Sequence, residues 1–246
     1  MASHMPLRIG FDIDGVIADF SSAFYDVEAR LFGPDTKLSP GEPEKEEEAQ
    51  SAAGDSEATE TGSPAEPEEA SASPREARRR RDVIWRTIQS TPDFWMTLKP
   101  LDERAVPRIH EMMLRHRWEV FFITQRPKTD GDTVQRQTQR WLVGHGFDLP
   151  SVLVLGGSRG AAAGALRLNY HVDDSAQNCL DVMSDSRAKP ILVVPDDDET
   201  TVTSARKLGI ATARSISACL DILEEASTAR SQPSLLARLA SMVGWK

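Results

Sequence analysis

Little in this 246-residue chain points to a disulfide-built or membrane-built protein. It has two cysteines, two tyrosines and an aromatic content of 6%. Cys179 and Cys219 lie far apart and lack metal-type spacing, which excludes a disulfide scaffold and a cysteine zinc site. The expectation is two buried free thiols in a reducing compartment. No run of about 18 apolar residues exists, so no membrane-spanning helix is expected. The opening also lacks the charged and apolar regions of a secretory signal, so the expected location is cytoplasmic. Met1 to Met5, Met-Ala-Ser-His-Met, reads as an expression-vector scar and is left out of the fold. Gly156-Gly157-Ser158-Arg159-Gly160 has no Gly-Lys-Ser/Thr ending, so it is no nucleoside triphosphate loop. His110, His116, His145 and His171 show no metal spacing and read as structural or surface groups.

The net charge of -9 is unevenly spread. Residues 40–74 hold eleven Asp and Glu against one Lys, a net of -10, so the rest is near +1. That stretch has no aromatic residue and too little apolar surface to offset chain entropy, and it is expected to be disordered. An arginine block follows within residues 75–81, expected as a solvated helix start. Nucleic acid is not an expected partner, and the sequence is silent on oligomeric state.

Elsewhere, strands alternate with helices. Strands are predicted at 7–13, 118–124, 152–155, 170–173, 191–194 and 209–213. Helices are predicted at 18–32, 78–90, 103–116, 133–144, 158–168, 175–184 and 216–226, with an amphipathic C-terminal helix within 231–246. This order implies an α/β fold, a Rossmann-like parallel sheet with helices on both faces. Ligands bind beyond the carboxyl ends of strands in such sheets. The polar residues at those ends are Asp12 and Asp14, then Thr124, then Ser158 and Arg159, then Asp173 and Asp174. Asp196-Asp197-Asp198 also follows a strand but reads as loop. Asp12 and Asp14 are two apart, which puts them on one face while the chain stays extended. Such a pair can hold a divalent cation and leave one carboxylate free to attack phosphorus.

Four segments in order resemble the haloacid-dehalogenase-like (HAD) phosphohydrolases: Asp12-Ile13-Asp14-Gly15-Val16, Thr124 after Phe122-Ile123, Arg159, and Asp173-Asp174. The continuation to Phe20, the segment Phe94 to Leu101 and the segment Asn169 to Ser175 are most similar to the 5'(3')-deoxyribonucleotidase-type group. The resemblance implies a HAD-like core of 6–20 and 101–230. It also implies a small helical cap, 21–100, interrupted here by the acidic segment, which is a departure from the compact caps of that group. Arg159, where lysine is commoner, is another departure.

The resemblance further implies Mg2+-dependent hydrolysis of a small-molecule phosphate, with nucleoside monophosphates favoured. Asp12 would be the nucleophile and Asp14 the acid and base, with its backbone carbonyl on the metal. Thr124 would hold a phosphoryl oxygen, and Arg159 would stabilise charge. Asp12, Asp14, Asp173 and Asp174 would form the metal set, and Phe20, Trp95, Thr124, Gln125 and Arg126 the substrate contacts. Two other expectations stand beside this one: the same chemistry on a sugar phosphate, or a non-catalytic protein that recruits a partner through its acidic segment.

Overall fold

A computed structural model describes residues 6–34, 38, 40, 73–194 and 198–231. The acidic run 41–72, Asp196, Asp197 and the C-terminal helix expected within 231–246, beyond Ser231, lie outside the described residues. The chain divides into two compact units. One holds the described residues of Met1–Phe20, Trp95–Arg126 and Asp132–Lys246; the other holds those of Ser21–Phe94 and Pro127–Gly131.

The first unit is built on six parallel strands: β1 (Arg8–Phe11), β2 (Glu119–Thr124), β3 (Val152–Val154), β4 (Tyr170–Asp173), β5 (Lys189–Val193) and β6 (Ala211–Ala213). Their order across the sheet is β3-β2-β1-β4-β5-β6. The chain winds outward from β1 in one direction and from β4 in the other, so the crevice between β1 and β4 is the topological switch point. Phe11 pairs with both Phe122 and Val172, so β1 ends two residues short of the end of β2 and one short of the end of β4.

Helices α3 (Ala105–His116), α4 (Val134–Gly144), α5 (Arg159–Ala165), α6 (Ala176–Asp185), α7 (Glu199–Lys207) and α8 (Ile216–Ser231) complete this unit. Cys179, Leu192, Val202 and Ile210 form one apolar cluster, and Ile123, Ala163, Leu168 and Val182 another, so α5, α6 and α7 cover one part of the sheet. Phe122 stacks edge-on against Phe147 at 4.9 Å, and α3 packs on α8. Fully burying each such side chain contributes about 1.5–3 kcal/mol. Both cysteines are free and buried, and burial pushes Cys219 up to about 12.

Four side-chain caps explain where helices begin. Thr133, Ser158, Ser175 and Asp198 each accept a hydrogen bond from the backbone N–H three residues on. The helix α7 has no counterpart in the sequence reading. Its threonines and short apolar stripe, Val202 and Ala205, give little helical periodicity, and Asp198 is its cap rather than plain loop.

The second unit contains α1 (Phe20–Phe32) from Ser21 onward and α2 (Pro74–Gln89). Phe24 meets Trp85 edge-on at 6.0 Å, and Ile84 and Ile88 are buried. Ser73 caps α2 and Pro74 opens it, so these two residues of the expected disordered segment belong to the helix start, and the arginine block lies inside the helix. Among the described residues no helix is long and apolar enough to cross a membrane.

Candidate active site

Three neighbouring strand ends and one helix start converge in the first unit. The Asp12 N–H donates to the Val172 carbonyl at 2.8 Å, which carries the β1–β4 pairing one residue past the strand and sets Asp12 beside Asp173. Arg159 opens α5. Its approach depends on Gly160, where a Cβ would sit 2.1 Å from the Asp181 carbonyl oxygen; only a glycine lets α5 lie this close to α6. Arg159 Nη2 donates to Asp12 Oδ1, and Nε lies 3.6 Å from Asp173 Oδ2. The alternative cation, Arg167, lies two residues beyond the end of α5 and is exposed.

Asp12, Asp173 and Asp174 each offer a carboxylate oxygen, and these three atoms lie within 4.8 Å of one another. Asp12 and Asp173 are buried, whereas Asp174 meets solvent. Gly15 closes the other side: it has φ +77, and a Cβ there would sit 1.8 Å from Asp174 Oδ2.

The electrostatics follow from this crowding. Burial pushes the Asp12 carboxyl well above its ordinary range; Arg159 pulls it back, and Asp173, Asp174 and Asp14 push it further up. Burial and the Asp173 charge raise Asp174 to about 7, although its outer edge is exposed. Burial acts to raise Asp173 too, but hydrogen bonding from His171 and the Arg159 charge outweigh it and hold Asp173 low. Burial acts to lower Arg159, and the Asp12 and Asp173 charges reverse that, so it stays a cation. One buried cation facing three acids leaves excess negative charge among hard oxygen donors. Such a donor set fits Mg2+.

The remaining sequence candidates take varied places. Thr124 is buried at the end of β2, and its Oγ1 accepts from the Arg126 N–H at 3.3 Å. Gln125 is exposed, with its Nε2 donating to the Gly157 carbonyl at 2.8 Å. Asp14 does not continue the strand, because β1 ends at Phe11 and Asp14 makes an isolated bridge to Ala18. The one-face alternation therefore stops short of it. Its carboxylate is taken by Arg126, through Nε at 2.8 Å and Nη2 at 2.7 Å. Trp95 is 1% exposed, with Arg126 over its ring and Phe20 beside it at 5.6 Å, so it has no face open for stacking on a base. Phe20 is half-buried.

Three polar residues at the site were not singled out from the sequence. His171 Nε2 donates to Asp173 Oδ2 at 2.9 Å, so this buried histidine supports the cluster. Asn178 Nδ2 and the Ser175 N–H donate to Asp173 Oδ1 at 3.0 and 2.9 Å. The Thr138 hydroxyl accepts from Arg126 Nη1 at 3.0 Å. For His171 a signal existed: it stands two residues before Asp173 on a strand, hence on the same face. Asn178 and Thr138 sit on helices, and only packing reveals them.

No family profile and no curated protein sequence matches the chain. Among solved structures, it is similar to a protein assigned as a beta-phosphoglucomutase of Thermotoga maritima. That match has a TM-score of 0.48 and 17% identity, over 89% of this chain and 99% of that one. It is also similar to a HAD hydrolase, family IA, variant 3, of Entamoeba histolytica HM-1:IMSS. Here the TM-score is 0.43 and the identity 14%, over 87% of this chain and 94% of that one. Likenesses at this level speak to neither substrate nor activity.

Proposed function

We propose that this protein is a Mg2+-dependent phosphomonoester hydrolase that works through an aspartyl-phosphate on Asp12, with nucleoside monophosphates as its favoured substrates. The observation that carries the reading is the buried Arg159 guanidinium beside Asp12. Among the described residues its Nη1 has no hydrogen-bond partner, and its Nε is only loosely engaged. A buried donor left unpaired is costly. A phosphoryl oxygen beside Asp12 would satisfy it.

The residues divide the work as follows. Asp12 Oδ1 is held by Arg159, which leaves the other oxygen to attack phosphorus as the ester P–O bond breaks. Asp14 gives a proton to the leaving oxygen. It then takes one from the water whose oxygen displaces Asp12 from phosphorus. The Thr124 hydroxyl keeps its proton for a phosphoryl oxygen, and Arg159 balances charge on phosphate and nucleophile. Asp12, the Asp14 carbonyl and Asp174 would hold the metal. Both Asp173 oxygens are already engaged by Ser175, Asn178 and His171, which suits Asp173 to an outer role. The metal, when bound, neutralises the phosphate dianion and the crowded acids.

The nucleotide preference rests on the three segments that resemble the deoxyribonucleotidase-type group. With Trp95 enclosed, Phe20 is the aromatic candidate for a base. The test is phosphate release from deoxy- and ribonucleoside monophosphates and sugar phosphates, with Mg2+ and with chelator. Turnover concentrated on nucleotides and abolished by chelator is the expected result. Turnover on sugar phosphates alone would keep the chemistry and discard the nucleotide preference. No turnover on any member, with no Mg2+ binding by calorimetry, would overturn the reading in favour of a non-catalytic protein.

A further inference from the structure

Arg126 stood among the expected substrate contacts, yet each nitrogen of its guanidinium is engaged inside the protein. Nε and Nη2 fork onto the two oxygens of Asp14, and Nη1 reaches the Thr138 hydroxyl. The side chain is 0% exposed, while that of Asp14 is 23% exposed. The Arg126 guanidinium carbon lies 4.8 Å from the Trp95 ring centroid. Trp95 is itself held: its backbone N–H donates to Gln137 Oε1 at 3.1 Å, and Gln137 Nε2 donates to the Asp132 carbonyl at 2.6 Å. Two consecutive residues of α4, Gln137 and Thr138, thus hold the Trp95 backbone and the third guanidinium nitrogen. The contrast with Arg159 is direct, since that residue keeps a nitrogen beside Asp12 that has no partner among the described residues.

The reason for the clamp lies in the backbone. Asp14 stands past the end of β1 at the entry to a turn, where a single bridge to Ala18 replaces a strand ladder. Nothing in the sheet sets the direction of its carboxylate. A planar, two-pronged donor does so, because both oxygens must lie in the plane of the fork. Each oxygen still keeps a second acceptor position for a proton in transit. Burying a guanidinium for stability alone gains little against an apolar side chain of similar size. Here it fixes the orientation of a partly exposed carboxylate beside Asp12.

We infer that Arg126, seated on Trp95 and tied to Thr138, is a positioning residue that aims the Asp14 carboxylate at the reacting phosphate ester and does not itself bind substrate. The inference rests on the phosphohydrolase reading above. The test compares Arg126→Met, Arg126→Lys, Asp14→Asn and the double variant Asp14→Asn/Arg126→Met, with p-nitrophenyl phosphate and Mg2+. Arg126→Met should lower kcat about 10²-fold, the cost of a carboxylate misplaced by about an ångström, with KM unchanged. Arg126→Lys should recover part of the loss, because it restores a charge without the fork. In the Asp14→Asn background, removing Arg126 should cost nothing further. A raised KM at unchanged kcat would make Arg126 a substrate ligand and overturn the inference, as would independent, multiplying losses in the double variant. A crystal structure of Arg126→Met gives a readout free of turnover. The Asp14 carboxylate is expected to leave its present orientation, and an unmoved carboxylate refutes positioning. If the wild type hydrolyses nothing, the functional reading falls by itself, and that crystal structure still decides what Arg126 does to Asp14. If Arg126→Met does not fold, the kcat and KM of Arg126→Lys and its Asp14 orientation decide instead.

Discussion

Replacing Asp12 with Asn should stabilise the metal-free protein while abolishing its turnover. Asparagine keeps the shape and leaves an oxygen to accept from Arg159, so the packing survives. What goes is a buried negative charge among Asp173, Asp174 and Asp14, whose combined effect with burial outweighs Arg159 and raises the Asp12 carboxyl. A raised acid is bound to its proton more tightly in the folded state than in the unfolded one. Its contribution to stability therefore declines as pH rises from the ordinary carboxyl value of 3.8 toward the folded one. The variant lacks that decline, so its advantage should grow with pH across that window and then level off. Relief of crowding of this kind amounts to about 0.5–2 kcal/mol. For a domain of this size each kcal/mol moves Tm by about 2–4 °C. Loss of the attacking oxygen should cost about 10⁴-fold or more in kcat. Thermal melts in chelator from about pH 4.5 to about 8, run beside a phosphate-release assay, give both numbers. A lower Tm at every pH would mean that the Asp12–Arg159 pair is a structural tie. Turnover within about a hundredfold of wild type would remove Asp12 as nucleophile.

Other outcomes follow from the same geometry. Because Asp174 is raised to about 7, protons compete with a cation there, and Mg2+ affinity by calorimetry should strengthen as pH rises through about 7; a flat profile would remove Asp174 from the metal set. Gly15→Ala forces a left-handed residue and drives a methyl into Asp174, so it should lose more than about 1 kcal/mol in denaturant melts and weaken Mg2+ binding with it. His171→Leu leaves Asp173 short of one buried hydrogen bond and should cost about 1–3 kcal/mol, read as a lower denaturant midpoint. Excision of residues 41–72 should leave cooperative unfolding intact, whereas a cut carried through Ser73 and Pro74 removes the α2 cap and should cost about a further 1 kcal/mol.

The sequence by itself determined the parallel α/β class, because apolar runs alternate with amphipathic segments, and it located the helix starts at Thr133, Ser158 and Ser175, because a capping hydroxyl acts on a backbone three residues away. It also marked Asp12, Thr124, Arg159, Asp173 and Asp174 as strand-end or helix-start positions. These are local facts, written in short stretches of chain. The helix α7 escaped because its stability comes from packing Val202 and Ala205 into the cluster around Leu192 rather than from its own periodicity. Tertiary structure alone decided the partners. Asp12 and Arg159 are 147 positions apart, and Asp14 and Arg126 are 112 apart. No spacing rule reaches across such distances. Which arginine keeps a nitrogen unpartnered among the described residues and which has all three engaged depends on how α4 and α5 are laid against the ends of the sheet. Trp95 reads as an available aromatic in the sequence and becomes an enclosed platform in the fold for the same reason: burial belongs to the packed whole, and a residue's own chemistry does not reveal it.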